Sequence, residues 1–362
     1  MRILHCIATM LGGGAERQVG YLAAELVRRG HSVHVALQRG GPNLPRLQSS
    51  GATLHWLPEV PTAVDPRALR ALARVARHSR CEVVQTWLPR MDVMGGLVAL
   101  ALDRAWVRSE RTHCVYTSGS ASHRAFRALV GRADAMVANS AHALDSWKGW
   151  INPGVPTHVV GNALPLDEIE KAPAVARTSL GVPEGSPLVL YGGRFSPEKG
   201  TEAFGGAMVK LLTTRPDVWL VASGEGPTLP AFRRVVDAAG VGHRVVTPGY
   251  RSDLWGLMKS ATVFVNPSRF EGRPNAVMEA IACRAPVLVS DITSHREILA
   301  DDAALWFAPD DVPGLTAALV TALDDPEAAR ARTLRAAQPL PRWGPAAVAE
   351  AYEAIYRGVL RP

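Results

Sequence analysis

Short apolar runs alternate with amphipathic runs along this chain, and no other feature of the sequence limits its fold as strongly. In the first half the predicted strands are RILHCIATM, HSVHVAL, EVVQTW, WVRSER, AMVANS and HVVGNA. Segments with helical periodicity, such as RQVGYLAAELVRRG and PRALRALARVARHS, lie between them. This alternation predicts repeated βαβ units, and therefore a largely parallel sheet that binds ligands at the carboxyl ends of its strands.

The same rhythm begins again after a proline-containing polar stretch at residues 164–187. The predicted strands of this second set are PLVLYGG, VWLVASG, RVVTPG, TVFVNPS and PVLVSD. A length of 362 residues allows about two domains with cores of their own. We therefore predict an α/β chain of two doubly wound, Rossmann-like domains facing a central cleft, residues 1–164 and 165–343. The last helical pattern, residues 344–362, is expected to pack back on the first domain.

The composition indicates a globular chain: 47% of the residues are hydrophobic and 20% are charged. No apolar run approaches the roughly 18 residues of a membrane-spanning helix. The opening RILHCIATML runs into GGGAE without a small-residue cleavage pattern, so it predicts a buried strand rather than a signal peptide. The widely spaced cysteines predict buried, reduced thiols and a cytoplasmic location; they are Cys6, Cys81, Cys114 and Cys283.

The positive charge of the chain lies in its first half. Residues 1–165 contain 19 Lys and Arg against 10 Asp and Glu, a net charge of +9, whereas residues 166–362 contain 21 against 23, a net charge of −2. An excess of this kind indicates an anionic partner, either a membrane surface or a phosphate-bearing substrate. The alternative is that Arg is simply the usual surface cation of an Ala- and Arg-rich proteome. No nucleic-acid motif and no aromatic stacking run accompany the basic residues, so nucleic acid is not an expected partner.

A glycine-rich turn follows the first predicted strand and opens a helix. At Gly12, Gly13 and Gly14 backbone N–H groups can approach an anion closely, although such turns are also common for steric reasons. A nicotinamide site would require G-x-G-x-x-G here and an acid at the end of the second strand. That strand instead ends in Gln38 and Arg39, which disfavours a dinucleotide oxidoreductase.

The second domain opens with the loop YGGRFSPEKG, residues 191–200. Its glycines allow a tight turn after the strand, and Arg194 and Lys199 then project from one loop. This pair suits a diphosphate, because Arg binds two oxygens at once and Lys supplies a mobile point charge. The alternative is a solvated basic loop without a ligand.

Two glutamates eight positions apart, Glu271 and Glu279, flank the start of a predicted helix in FEGRPNAVMEAIAC. Asn275, preceded by Pro274, is the predicted N-cap, and the N-terminus of this helix is a potential anion site. A carboxylate at Glu279 can accept two hydrogen bonds from the vicinal hydroxyls of a ribose, or can merely complement the helix dipole. Glu271, beside Gly272, is placed to accept hydrogen bonds from the hydroxyls of a sugar.

Taken together, GGGAE, GGRFSPEKG, SGEGP at 223–227 and FEGRPNAVMEAIACRAPVLVSD resemble the GT-B glycosyltransferases of the retaining family GT4. Glu271 and Glu279 match the E-x7-E motif of that family, and the resemblance covers essentially the whole chain. It implies that the amino-terminal domain holds the acceptor and the carboxy-terminal domain holds a nucleotide sugar. Two departures concern the motif region: Arg273, Pro274 and Asn275 stand where many relatives have an aromatic residue and a second Gly, and Arg284 replaces the usual Gly.

The resemblance also implies residue roles. Arg194 and Lys199 would stabilise the leaving diphosphate, Glu279 would hold the ribose, and Glu271 the transferred sugar. His113 would lie near that sugar, with Glu110 and Arg111 as neighbouring candidates. The catalytic candidates are Glu271, His113, Arg194 and Lys199. The remaining nucleotide-sugar-binding candidates are Gly13 and Gly14 from the first domain, Gly193, Gly224 and Gly272, Tyr250 and Arg251 for the nucleobase, and the backbone N–H groups of Asn275, Ala276 and Val277.

The expected reaction is retaining transfer of a hexose or N-acetylhexosamine, with the leaving phosphate helping to accept the acceptor proton. A UDP-sugar is the favoured donor. No Asp-x-Asp sequence occurs, so we expect neither a metal requirement nor a cofactor. The expected acceptor is a glycan or lipid-linked molecule of cell-surface polysaccharide synthesis. RAFRALVGR, residues 124–132, could dock on an anionic inner membrane face, or could be an ordinary surface helix. The alternative functions are a non-catalytic nucleotide-sugar-binding subunit, an epimerase and a phosphorylase.

Overall fold

The computed structural model describes most of the chain. The chain forms two compact units. The described residues are 1–11, 13–111, 121–147, 149, 151–152 and 154–360, and the side chains of 121–124 are excluded. Unit 1 contains Met1–Ala163 and Arg342–Pro362, and unit 2 contains Leu164–Pro341. These limits lie within two residues of the predicted boundaries.

Strands and helices alternate through both units. The strands are β1 Arg2–Cys6, β2 Ser32–Leu37, β3 Thr53–Trp56, β4 Val83–Trp87, β5 Ala105–Glu110, β6 Ala135–Ala138, β7 Thr157–Val159, β8 Leu188–Gly192, β9 Trp219–Ser223, β10 Val245–Val246, β11 Val263–Asn266, β12 Val287–Ser290 and β13 Leu305–Phe307. The α-helices are α1 Gly14–Arg28, α2 Leu44–Gln48, α3 Pro66–His78, α4 Leu88–Ala101, α5 Ala121–Val130, α6 Ala141–Asp145, α7 Leu166–Lys171, α8 Thr201–Thr214, α9 Leu229–Ala238, α10 Leu254–Ser260, α11 Asn275–Ala282, α12 Thr293–Arg296, α13 Val312–Asp324, α14 Pro326–Ala337 and α15 Pro345–Val359. Short 3-10 turns occur at Arg177–Leu180, Pro197–Lys199, Gly242–Arg244 and Leu340–Trp343.

Both sheets are parallel and doubly wound. The order in unit 1 is β3-β2-β1-β4-β5-β6-β7, and the order in unit 2 is β10-β9-β8-β11-β12-β13. The order therefore reverses between β1 and β4 in one sheet and between β8 and β11 in the other. Central strands such as β4 are buried along their whole length, as expected for a parallel sheet covered by helices on both faces. In such sheets ligands bind outside the carboxyl ends of the strands at the reversal point.

Every strand predicted from the sequence overlaps an observed strand, and two observed strands were missed. β3 and β13 are short and lie at sheet edges. The ends of β3 are exposed, including Trp56 at 54%, so its sequence TLHW lacks the apolar run of a fully buried strand. The predicted strands are also too long at their carboxyl ends. The first one, for example, stops at Cys6, and the chain then continues as the loop that leads into α1.

The last helix, α15, belongs to unit 1 and completes its core. Tyr352 and Tyr356 are fully buried there, and the hydroxyl of Tyr356 donates to Gln85 on β4. Glu353 on the same helix accepts from Arg29 Nε at 2.8 Å and lies 2.6 Å from His31 Nε2. The hydrogen bond from Arg29 is the largest cause that lowers the pKa of Glu353 to about 2. Helix α15 is thus held to the start of the chain by both apolar and ionic contacts.

A buried arginine joins β5 and α4 of unit 1 to the segment that follows α6. Arg108 on β5 donates from Nε to Asp92 on α4 at 2.9 Å and from a terminal nitrogen to Glu110 at 2.6 Å. Its guanidinium lies 3.8 Å from the centroid of the Trp147 ring. Its side chain is 2% exposed, and those of Asp92 and Glu110 are 1% and 5% exposed. This triad, Asp92–Arg108–Glu110, buries two carboxylates and one guanidinium almost completely away from water.

The thiols that the structure describes agree with the prediction of buried cysteines. Cys6, Cys81 and Cys283 are buried and unpaired, and Cys114 lies outside the described residues. Burial raises the pKa of each of these thiols, that of Cys283 to about 12. Within the described ranges, no helix has the length and apolar character needed to cross a bilayer.

Candidate active site

The predicted residues Arg194, Lys199 and Glu271 of unit 2 lie in loops at the point where its strand order reverses. Two loops meet there, one after β8 and one after β11, and the second lies against the first. The backbone N–H of Arg269 donates to the carbonyl of Glu198 at 2.9 Å. A Cβ atom at Gly200, where φ is +62°, would clash with the carbonyl oxygen of Pro267. Glycine is required at this position for the loops to approach so closely.

The loop after β8 is held in place by backbone contacts and by aromatic packing. Gly193 N–H donates to Ser223 at 3.0 Å, and the hydroxyl of Tyr191 donates to the carbonyl of Arg194 at 2.7 Å. Gly224 has a φ of +141°, and a Cβ there would clash with the Gly193 carbonyl. Gly193 and Gly224, both predicted as site residues, therefore shape one turn. Below this turn, Tyr191 packs against Phe195 with ring centroids 5.1 Å apart.

Lys199 and Glu271, predicted as separate ligands of one substrate, form an ion pair. Lys199 Nζ lies 2.6 Å from Glu271 Oε1. The same oxygen accepts from Ser268 Oγ at 2.8 Å and is 3.5 Å from Asn266 Nδ2. The side chains of Lys199 and Glu271 are 24% and 11% exposed. The carboxylate is thus fixed by three donors, while both charged groups still reach solvent.

Glu271 also influences a neighbouring phenol. Burial raises the pKa of Tyr191 well above its ordinary value, and the charge of Glu271 is the second cause. Tyr191 therefore stays neutral and can donate its proton to the Arg194 carbonyl, which fixes the turn that carries Arg194. The Arg194 residue itself is exposed. Within the described ranges its guanidinium has no carboxylate at ion-pair distance, so it remains available to an anion from solution.

Helix α11 starts one residue earlier than predicted. Its N-cap is Pro274, Asn275 is its first residue, and no side chain caps it. The prediction that Asn275 caps the helix is therefore wrong. The Pro274 carbonyl accepts the N–H groups of Val277 and Met278, both at 3.1 Å, which places Asn275 inside the first turn. The N–H of Asn275 donates to the carbonyl of Arg273 at 2.9 Å. Of the three predicted backbone donors, Ala276 alone has no backbone acceptor among the described residues.

Glu279, inside α11, is a buried carboxylate with an aromatic partner. The residue is 6% exposed, and Trp255 Nε1 on α10 donates to its Oε2 at 3.0 Å. Its negative charge helps to raise the pKa of Cys283, although burial of that thiol is the larger cause. Glu279 is the fifth residue of α11 and lies beyond its first turn, which disfavours the alternative that it merely complements the helix dipole.

The loop after β10 carries the residues predicted to contact a nucleobase. Gly249 in this loop accepts from the N–H of Gly224 at 2.9 Å, which joins it to the turn after β9. Tyr250 is 72% exposed. The Arg251 guanidinium is held by Asp253, with nitrogen-to-oxygen distances of 2.7 and 2.5 Å. Tyr250 is thus an open aromatic surface, whereas the Arg251 side chain already has an anionic partner.

A buried histidine near the ion pair was not found from the sequence. His295 on α12 is fully buried, and its Nδ1 lies 2.7 Å from the Ser290 carbonyl, so this nitrogen carries the proton. Burial lowers the pKa of His295, and the charges of Glu271 and Lys199 act on it in opposite directions. Ser268, Asn266 and Trp255 were missed as well. The signal was present for two of them, because Asn266 is a polar residue at the carboxyl end of the buried strand β11 and Ser268 lies two residues beyond it.

In unit 1 the predicted residues are placed as follows. Gly13 is the N-cap of α1 and Gly14 is its first residue. Glu110 is paired with Arg108, and Arg111 donates to Asn162 at 2.8 Å and also to the hydroxyl of Tyr352. Both therefore have partners inside the unit. His113 and Gly12 lie outside the described residues.

Two family models match consecutive parts of the chain. Residues 12–168 match Glycosyltransferase Family 4, and residues 174–338 match Glycosyl transferases group 1. The boundary between the matches falls close to the boundary between the two compact units. Every residue of unit 2 discussed for the site lies within the second match.

Relatives and solved structures agree with these matches. The lipopolysaccharide core biosynthesis mannosyltransferase LpsB of Rhizobium meliloti (strain 1021) is 26% identical over 318 residues, which are 84% of this chain and 88% of that protein. An alpha-D-kanosaminyltransferase of Streptomyces kanamyceticus is 29% identical over 178 residues, which are 48% of this chain and 46% of that protein. The crystal structure of Anabaena HepE in complex with UDP and glucose superposes with a TM-score of 0.82 at 19% identity, covering 99% of both chains.

Proposed function

Because the chain belongs to the group 1 glycosyltransferases and has the GT-B fold, we propose that it moves a hexose or N-acetylhexosamine from a UDP-sugar to a glycan or lipid-linked acceptor, with retention. One observation carries this proposal: the Lys199–Glu271 pair at the strand reversal point of unit 2. HepE, which shares the fold, was crystallised with UDP and with UDP-glucose. The relatives include mannosyltransferases of lipopolysaccharide synthesis.

The donor diphosphate is assigned to Arg194 and Lys199. The exposed Arg194 guanidinium can bind two phosphate oxygens at once. Lys199 donates to Glu271 at 2.6 Å and has two further ammonium hydrogens for phosphate. Negative charge develops on the leaving diphosphate as the glycosidic bond breaks, and Lys199 is held in position by Glu271 before the reaction begins. Preorganised charges of this kind stabilise a transition state more than mobile ones do. We expect no metal requirement.

The two glutamates are assigned to the two sugars of the donor. Glu271 has one oxygen fixed by Lys199 and Ser268, so its orientation toward the hydroxyls of the transferred sugar is set by the protein. Glu279 is buried against Trp255, in a position suited to the ribose hydroxyls. In the retaining reaction the acceptor approaches the same face from which the nucleotide leaves, and the leaving phosphate takes the acceptor proton. This assigns proton transfer to the substrate itself and positioning to the protein.

A panel of UDP-, GDP- and ADP-sugars tests the donor assignment by thermal stabilisation. A ligand at a concentration 100 times its Kd stabilises the folded protein by about 2.7 kcal/mol. We expect UDP and one UDP-sugar to raise Tm, and Glu279→Ala to remove most of that shift because the ribose loses its acceptor. Glu184→Ala, in an exposed loop of the same unit, is the matched control and keeps the full shift. If no nucleotide sugar raises Tm, the proposed function is wrong.

The acceptor side of the proposal rests on a surface of unit 1 between α3 and α4. Leu69, Leu97 and Val98 contribute to an apolar floor, and Arg70, Arg74 and Arg77 on α3 line the same groove of about 660 Å³. These three arginines are exposed, and within the described ranges none is paired with a carboxylate. An apolar floor beside a row of arginines suits an anionic membrane surface. We name this surface the α3–α4 groove.

The segment predicted for membrane docking, residues 124–132, fits less well. In its described part, Phe126 packs on Trp147 with ring centroids 6.2 Å apart, and Val130 is buried in the core. The apolar side chains of α5 therefore face the interior of unit 1. This favours the alternative that α5 is an ordinary surface helix, and it moves the proposed membrane contact to the α3–α4 groove.

Vesicle flotation at low salt tests the membrane contact. A Lys or Arg near an anionic bilayer contributes about 1 kcal/mol, so the triple variant Arg70→Gln/Arg74→Gln/Arg77→Gln should bind about 100-fold more weakly. The control is a second triple variant that removes the same charge from exposed positions of unit 2, Lys171→Gln/Lys210→Gln/Arg234→Gln. It should bind vesicles like the original protein. Equal loss in both triple variants would mean that net charge, not this groove, governs binding. An original protein that does not float contradicts the membrane contact altogether.

A further inference from the structure

Unit 2 contains a cavity at the opposite end of its sheet from the candidate active site. The cavity has a volume of about 300 Å³. Ala261 and Thr262 lie in its wall just before β11, and Pro286 lies just before β12. Thr262 Oγ1 also accepts from the N–H of Leu188, the first residue of β8. The cavity therefore lies at the amino ends of the strands whose carboxyl ends carry Arg194 and Glu271.

Four cations line this cavity, and no acid does so among the described residues. They are Arg177, Lys259, Arg284 and Arg330, which come from four separate segments of the chain. None of the four is paired with a carboxylate in the part of the chain that the structure describes. Unit 2 as a whole carries 18 Lys and Arg against 21 Asp and Glu, a net charge of −3. Because unit 2 is acidic overall, its general charge does not explain why four positive charges without carboxylate partners surround one cavity.

Two of these cations are held in place by neutral oxygens. Arg177 donates to the carbonyls of Ser260 at 2.8 Å and Ser186 at 2.5 Å. Lys259 Nζ donates to the carbonyls of Glu170 at 2.7 Å and Ala172 at 2.6 Å. Carbonyls orient a cation without neutralising it. Burial lowers the pKa of Arg177, which is the penalty for a guanidinium without a counterion. An anion in the cavity would relieve this penalty.

The other two cations are exposed and stand at separate helix positions. Arg284 follows α11 with a φ of +63°, a conformation that glycine adopts without strain and other residues adopt at a cost. Arg330 lies on α14. Neither side chain has a hydrogen-bond partner in the described structure. Both guanidiniums can therefore turn toward a ligand, in contrast to the fixed Arg177 and Lys259.

We propose that this cavity, lined by Arg177, Lys259, Arg284 and Arg330, is a second anion site that binds a small phosphate-bearing ligand. Guanidinium and ammonium groups from several segments around one cavity can together meet the tetrahedral oxygens of a phosphate. The volume accommodates a diphosphate or a small phosphate ester and lies at the lower end of the range for ligand sites. The site is separate from the donor site, since it adjoins the other ends of the same strands. Binding of a phosphate-bearing ligand in this cavity would stabilise unit 2, which also carries the loops of Arg194 and Glu271.

The test uses pyrophosphate in an Arg194→Ala/Lys199→Ala background, which removes the donor diphosphate site. In this background we expect pyrophosphate to raise Tm by about 2 to 4 °C at ten times its Kd. Adding Arg284→Gly and Arg330→Gln should remove the shift. Arg284→Gly introduces the residue that suits a positive φ, so this variant is expected to fold. Arg332 lies on α14, as Arg330 does, but outside the cavity. The control variant Arg332→Gln therefore removes one charge from the same helix and should keep the Tm shift. Sodium chloride at equal ionic strength is the salt control.

A second arm separates a soluble ligand from a lipid headgroup. Vesicles that contain phosphatidic acid are floated with the background protein and with the Arg284→Gly/Arg330→Gln variant. A pyrophosphate shift that depends on these two arginines supports the site with a soluble ligand, whereas vesicle binding that depends on them without such a shift supports it with a lipid. If removing both arginines changes neither the pyrophosphate shift nor vesicle binding, the proposal is wrong.

Discussion

Replacing Glu271 by glutamine is expected to lower turnover by about 100- to 1000-fold, the usual effect of removing one preorganised electrostatic group from an active site. The change keeps the size of the side chain and removes the charge that Lys199 and Ser268 hold in place. The transferred sugar loses an anionic acceptor for its hydroxyls, and Lys199 loses its anchor. UDP binding should change much less, because the diphosphate is still met by Arg194 and Lys199. Initial rates at saturating donor, together with UDP-induced shifts in Tm, measure the two effects separately.

Lys199→Met is the matched variant for this prediction. It should lower turnover by a similar factor and also remove most of the UDP-induced stabilisation, because the ammonium contacts the diphosphate in the proposed complex. The double variant should be less impaired than the product of the single effects, since the two groups are in direct contact at 2.6 Å. If Glu271→Gln abolished UDP binding as completely as Lys199→Met, the separate assignment of sugar and diphosphate would be incorrect. Full turnover by the Glu271→Gln variant would show that Glu271 has no catalytic role.

Arg108→Met is expected to destabilise unit 1 by about 3 to 5 kcal/mol, the cost of leaving buried charges without a partner. Methionine fills much of the arginine volume, but Asp92 and Glu110 then remain buried with two negative charges and no cation. Thr86 Oγ1 still donates to Asp92 at 2.6 Å, and the N–H of Arg111 donates to Glu110 at 3.0 Å, which offsets only part of the loss. Urea denaturation at pH 7, followed by tryptophan fluorescence, measures the change. Arg132→Met, an exposed arginine of the same unit, should shift stability by no more than about 0.5 kcal/mol.

The pH dependence of the Arg108→Met effect provides a second check. Burial already raises the pKa of Asp92 in the intact triad. Without Arg108 the folded-state pKa of Asp92 should rise further above its unfolded value, because the attraction of the guanidinium, which lowers it, is lost. A raised folded-state pKa means that the folded form binds more protons, so stability falls as pH rises through this range. The destabilisation should therefore shrink between pH 7 and pH 5. A constant difference over that range would show that packing, rather than charge, causes the effect.

The architecture could be predicted because strand–helix alternation is a local pattern repeated many times. Central strands such as LVLYG, residues 188–192, are apolar on both faces, and this is visible in the sequence. The edge strand Thr53–Trp56 was not visible, because one side of an edge strand needs no sheet partner and its residues need not be uniformly apolar. The limits of α11 could not be predicted either. Asn275 is a good N-cap residue by type, but the carbonyl of Pro274 accepts the first helical N–H groups.

The acids and bases of the donor site were identified from the sequence, but their contacts with one another were not. Lys199 and Glu271 are 72 positions apart, and nothing local indicates that they meet. They meet because β8 and β11 are neighbours in a sheet whose order reverses between them. The glycine at 200 allows the two loops to touch. The supporting residues Trp255 and His295 come from other elements again, so only the tertiary structure relates them to the glutamates.

The position of α15 has a consequence for the synthesis of this protein. Unit 2 spans a continuous segment that ends at Pro341, so all of its residues have been made while the last helix is still to come. Unit 1 begins with the first residue, yet its core includes Tyr352 and Tyr356 near the end of the chain. During translation, unit 1 therefore starts to emerge before unit 2. Its core residues are nevertheless all present only after those of unit 2. Until α15 is released, Gln85 on β4 and Arg111 after β5 lack the tyrosine hydroxyls that contact them in the folded unit.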